Sequence, residues 1–128
     1  MRLLSRIGLW APVAVFIVGV HWMSGRLVAP FPVEGWTDKL LHAAGYCLFG
    51  ACCVRAFHGG IRPLRALPTF LALLLAVGYG ALDELNQTRI AGRQASLLDW
   101  VADAIGAGLS VPLVAALVVW RWKRVRHV

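Results

Sequence analysis

The sequence predicts an all-α fold, an integral membrane four-helix bundle with both termini cytoplasmic. Three observations carry that expectation. The 128 residues are 59% hydrophobic and only 15% charged, against roughly 25% charged in soluble domains. Mean hydropathy is +0.70. The apolar residues gather into four runs, each near the roughly 20 residues that a spanning helix needs. A chain of this length makes one domain, residues 1–128, whose core is a small helix bundle.

The elements follow in chain order. A short basic start, Met1 to Arg6, leads into an apolar run read as a retained first span over about 7–23, with Pro12 tolerated in its N-terminal half. No small-residue cleavage site follows it, which argues against a removed signal. Ser24 to Thr37 contains Gly25, Pro30, Pro32 and Gly35, so it reads as a loop. The second span covers about 38–57 and ends in a basic turn around Arg62, Pro63 and Arg65. The third covers about 67–85, with Pro68 in its first turn. The fourth covers about 96–120, with Pro112 expected to kink it or shift its hydrogen bonding.

Charge sets the expected orientation. Nine of the 13 Lys and Arg residues lie before span one, around the turn between spans two and three, or after span four. The positive-inside rule assigns that side to the cytoplasm. All six acids lie on the other side. Trp22, Trp36 and Trp100 then mark the outer boundary, and Trp10, Trp120 and Trp122 the inner one. The net charge of +7 is therefore read as orientation, and no nucleic-acid partner is expected. The tail RWKRVRHV is read as a stop-transfer signal that also suits anionic lipid. Cys47, Cys52 and Cys53 share one apolar run and read as small buried hydrophobes, not as a disulfide framework.

Helical spacing collects the polar residues into stripes. Asp38, His42 and Tyr46 follow at i, i+4, i+8 on span two. Gly80, Asp83, Glu84 and Gln87 share a face of span three, and Asp99, Asp103, Gly106 and Ser110 a face of span four. Ionisable groups in such segments are costly to bury, so the three faces should turn inward together. Ala102, Gly106 and Ser110 also have the small-residue spacing that lets membrane helices approach closely. With a rise of 1.5 Å per residue, Asp103 lies about 6 Å deeper than Asp99 and most needs a partner. Lys39, Arg89 and Arg93 are the available cations, and His42 a donor or base.

Three blocks in this pattern resemble the VanZ-like membrane proteins, a family named for a teicoplanin-resistance protein. They are DKLLHAAGY (Asp38 to Tyr46), DELNQ (Asp83 to Gln87) and GRQASLLDWVADAIGA (Gly92 to Ala107). The resemblance matches Asp38, Lys39, His42, Asp83, Glu84, Gln87, Arg93, Asp99 and Gly106. It departs at Asp103, where the family usually has Asn. It implies a bacterial membrane protein associated with low-level resistance to teicoplanin-type glycopeptides, and it implies no established reaction.

The candidate ligand-binding residues are thus Asp38, Lys39, His42, Asp83, Glu84, Gln87, Arg93, Asp99 and Asp103. The leading expectation is a multi-pass protein of the bacterial inner membrane. Its outward-facing polar pocket would bind or modify a cell-envelope lipid intermediate, with Arg93 and Lys39 on a phosphate. One alternative is an enzyme in which His42 acts as a base, or joins Asp38, Glu84 and Asp99 on a divalent cation. No zincin or CxxC spacing supports that version, so no residue is assigned as a metal ligand and the cofactor stays unknown. Another is a structural or assembly subunit whose polar network is satisfied internally. A transporter fits four short spans poorly unless the chain pairs, and a homodimer stays open.

Overall fold

A computed structural model describes residues 2–25, 35–90 and 95–126. Four helices make up the described chain: α1 (Arg2–Ser24), α2 (Trp36–Phe57), α3 (Ala66–Gln87) and α4 (Leu97–Val125). All four are long and apolar enough to cross a membrane, and no strand occurs among the described residues. The protein is therefore all-helical and of multi-pass membrane type. Residues 26–34, most of the expected first loop, lie outside the described chain, and Trp36 and Thr37 already belong to α2.

Helix bounds depart from the expected spans mainly where charge begins. The helix α1 includes the basic start, and α4 runs past Trp120 to Val125. Hydropathy falls at Arg121, but the backbone has no reason to stop there. Lys123 and Arg124 in the last turn suit the negative end of the helix dipole. Arg124 also lies 4.3 Å over the Trp120 ring. Pro112 sits inside α4 without ending it. At the other end Ser96 caps α4, its hydroxyl accepting from the Asp99 N–H at 3.2 Å.

The helices run up and down. Ser24 meets Asp83, and Lys39 meets Asp99, so the end of α1, the start of α2, the end of α3 and the start of α4 share one end of the bundle. At the opposite end Trp10 packs edge-on against Phe57 at 5.1 Å. There, too, a cleft of about 430 Å³ is lined by Pro63, Val118, Val119, Trp122, Lys123 and Arg126. The first half of α1, the end of α4 and the α2–α3 turn therefore lie together. His58 pins that turn: its Nδ1 donates to the Val54 carbonyl at 2.8 Å, and its Nε2 accepts from the Arg65 N–H at 3.0 Å.

The most intimate pair is α2 with α4, and small residues make it so. A β-carbon on Gly106 would collide with the Ala43 carbonyl, and one on Gly50 would stand 2.6 Å from Ser110 Oγ. The small-residue stripe expected on α4 is therefore the contact surface toward α2. Above it, Phe49 is fully buried, stacked on Phe16 at 4.3 Å and edge-on to Tyr46 and Tyr79. Large apolar side chains such as Leu48, Leu74, Leu82, Ile105 and Leu109 instead face outward. A surface of that kind suits a lipid environment.

Candidate polar site

At the end of the bundle away from the termini, the polar stripes of α2, α3 and α4 meet. Asp38 and Asp99 lie in the first turns of α2 and α4, where the helix dipole favours anions. Lys39 bridges them, donating to Asp38 Oδ2 at 2.8 Å and to Asp99 Oδ1. Two acids from helices far apart in sequence thereby share one ammonium.

Further in, His42 Nδ1 lies 2.8 Å from Asp103 Oδ1, while its Nε2 is 4.0 Å from Asp38 Oδ1. Side-chain exposure falls steadily along this path: 31% at Asp38, 26% at Lys39, 24% at His42, 14% at Asp99 and 1% at Asp103. The site is therefore open at the bundle end and closed at depth. Tyr46, next on the same α2 stripe, is buried over the Phe16 and Phe49 rings and forms the floor.

The α3 face closes one side. Asp83, Glu84 and Gln87 are all buried. Asp83 Oδ2 accepts from Ser24 Oγ at 3.0 Å and from Gln87 Nε2 at 3.2 Å. Glu84 Oε2 accepts from the Ser96 backbone N–H at 2.7 Å, tying α3 to the cap of α4. Gly80 lets α3 come close: a β-carbon there would stand 3.1 Å from Asp103 Oδ2 and 3.2 Å from the Tyr46 ring.

Eight of the nine expected site residues are thus brought together: Asp38, Lys39, His42, Asp83, Glu84, Gln87, Asp99 and Asp103. The ninth, Arg93, lies outside the described residues. Arg89 is exposed just beyond α3. Lys39 is held between two carboxylates, so the described part of the site is acidic, and a phosphate entering it would need a further cation. Asp103, the deepest acid by helical rise, takes His42 as its partner.

Three contributors lie beyond the expected set of ligand-binding residues. Ser24 makes α1 a fourth wall, but a single serine ending an apolar run has no periodic signal. Ser96 reads from sequence only as the start of the fourth span, and its N–H as a donor to Glu84 appears in the structure alone. Tyr46 lies on the α2 stripe, yet only packing reveals that its hydroxyl, like Asp83 Oδ1, is buried without a hydrogen-bond partner. Two sets of ligand-type side chains also converge, Asp38–His42–Asp99 and His42–Glu84–Asp103, each with its donor atoms within 4.8 Å of one another. Comparison of the chain with family models, curated proteins and solved structures finds no match.

Proposed function

We propose that this chain is a VanZ-like protein of the bacterial inner membrane, with both termini in the cytoplasm and the polar site opening on the outer side. There the site binds or modifies the headgroup of a lipid-linked cell-envelope intermediate. The observation that carries this reading is the gradient from the half-open Asp38, Lys39 and His42 to the sealed Asp103, Asp83 and Glu84. A network serving only helix register has no need of an open mouth, and one fully satisfied internally leaves no bare buried atoms. The site has both.

Support for the family comes from the three resembling blocks, whose described charged residues, Asp38, Lys39, His42, Asp83, Glu84, Asp99 and Asp103, meet at one site although they are separated in sequence. Orientation is supported by the basic residues around the termini and the α2–α3 turn. The carboxylates suit sugar hydroxyls as acceptors, and Arg93 is the residue proposed to reach a phosphate. A link to teicoplanin-type resistance is an extension of the same reading.

The test is lipid mass spectrometry on protein purified from its own membrane. The parent should carry a lipid-linked envelope intermediate, and Glu84→Ala and Arg93→Ala should lose it. If both variants retain the same lipids as the parent, the reading fails.

A further inference from the structure

Among the described residues, the inner half of the polar site is short of positive charge. Asp83, Glu84 and Asp103 are buried close together. Asp83 and Glu84 stand near the C-terminal end of α3, where the helix dipole disfavours anions, and no basic residue occupies that last turn. Ser24, Gln87 and the Ser96 N–H bring hydrogen bonds to them but no charge. Lys39 is engaged by Asp38 and Asp99. Among the described residues, His42 alone brings a chargeable group to this half, through Asp103. Burying several carboxylates with so little compensation from the described residues is costly, because each ion loses its hydration.

Two bare atoms give an independent sign. The Tyr46 hydroxyl and Asp83 Oδ1 are buried without partners, on side chains only 4% and 7% exposed. Both belong to residues of this half of the site. The Tyr46 ring edge and Asp103 Oδ2 flank the same point above Gly80, and the Tyr46 hydroxyl lies in the field of Asp103, Asp83 and Glu84. A hydrated divalent cation answers both deficits. It neutralises carboxylates, and its bound water donates to Asp83 Oδ1 and accepts from the Tyr46 hydroxyl.

We propose that His42, Glu84 and Asp103 bind one divalent cation of the Mn²⁺ or Zn²⁺ class. The ligand atoms lie within 4.8 Å of one another. Bonds of about 2.1 Å allow a separation of at most about 4.2 Å, so the side chains close by roughly half an ångström on binding. One imidazole nitrogen with carboxylate oxygens, and no thiolate, favours such ions over Ca²⁺ or Cu⁺. Coordination through Nδ1 replaces its hydrogen bond to Asp103 and puts the ring proton on Nε2, facing Asp38, which orients the ring as an outer carboxylate does in many metal sites. The outer set, Asp38–His42–Asp99, is the poorer candidate because the Lys39 ammonium already bridges its two acids.

The experiment uses untagged full-length protein in detergent, stripped with chelator and titrated with MnCl₂. Free Mn²⁺ is followed by electron paramagnetic resonance, and ¹⁴N coupling by its pulsed form. The expected result is one Mn²⁺ per chain with ¹⁴N coupling that His42→Gln abolishes, competed by ZnCl₂. Binding should weaken at least about 10-fold in Glu84→Gln and Asp103→Asn. Should those variants fail to fold, the parent's stoichiometry and ¹⁴N coupling, with a Mn²⁺-dependent rise in its melting temperature, decide the matter. Absence of stoichiometric Mn²⁺ and Zn²⁺ binding overturns the proposal. So does binding that survives Glu84→Gln and Asp103→Asn but is lost in Asp99→Asn. The readout is the metal and not the lipid, so its failure is distinct from failure of the lipid reading.

Discussion

Replacing Gly106 by alanine tests how closely α2 and α4 must approach for the site to exist. A β-carbon at 106 overlaps the Ala43 carbonyl oxygen and stands 2.8 Å from both the Ala43 carbonyl carbon and Cα. These are backbone atoms of α2, so no rotamer change relieves the clash. Carbon contacts settle at about 3.5–4.0 Å, so the helices must part by roughly 1 Å. His42 precedes Ala43 directly, and Asp103 lies one turn before Gly106. The same movement takes the 2.8 Å His42–Asp103 contact to about 3.6 Å or beyond, where a hydrogen bond no longer counts. Overpacking costs about 1–3 kcal/mol, and a lost bond to a charged group about 1.5–3 kcal/mol. The expected destabilisation is therefore about 3–5 kcal/mol. Reversible unfolding in mixed micelles measures it, with Gly108→Ala as the control. Position 108 has nothing within 4 Å, so alanine there should be neutral or stabilise by up to about 1 kcal/mol through helix propensity. A Gly106→Ala protein within about 1 kcal/mol of the parent would refute this account of the interface.

Other expectations follow from single contacts. His58→Ala removes both bonds that pin the α2–α3 turn and should cost about 2 kcal/mol in the same assay; an unchanged stability would show that the turn holds without it. Ser24→Ala deprives the buried Asp83 of a donor and should cost about 1–2 kcal/mol, whereas no change would remove α1 from the site. Gly50→Ala should cost less than Gly106→Ala, because its nearest obstacle is the Ser110 hydroxyl and not backbone; the reverse order would contradict the packing described. For orientation, an Arg62→Cys protein should react with a membrane-impermeant maleimide in inverted vesicles but not in right-side-out ones, and the opposite pattern would invert the proposed topology.

Much of this architecture is legible in the sequence, and the illegible part has physical causes. Four apolar runs give four helices because each must satisfy its own backbone in lipid. The stripes on α2, α3 and α4 follow from 3.6-residue periodicity alone, as does the depth of Asp103. Pairing is different. Lys39 meets Asp99, and His42 meets Asp103, across about 60 residues of chain, and nothing local selects those partners over Arg89. The end of α4 is hidden from hydropathy, which reports where lipid stops and not where hydrogen bonding stops. The bare Tyr46 hydroxyl and Asp83 Oδ1 are the least legible of all. They arise only when α2, α3 and α4 pack together, and an unpartnered atom has no pattern along a chain.

We propose that the polar site is kept for something it binds and not for the stability of the fold. Tyr46→Phe, measured by reversible unfolding on chelator-stripped, delipidated protein, separates the two roles. It deletes a buried hydroxyl without a partner and leaves the ring on Phe16 and Phe49 intact. The account predicts that the variant is more stable than the parent, by about 1 kcal/mol or more. A loss of similar size would mean that the hydroxyl serves the fold, and would contradict the claim.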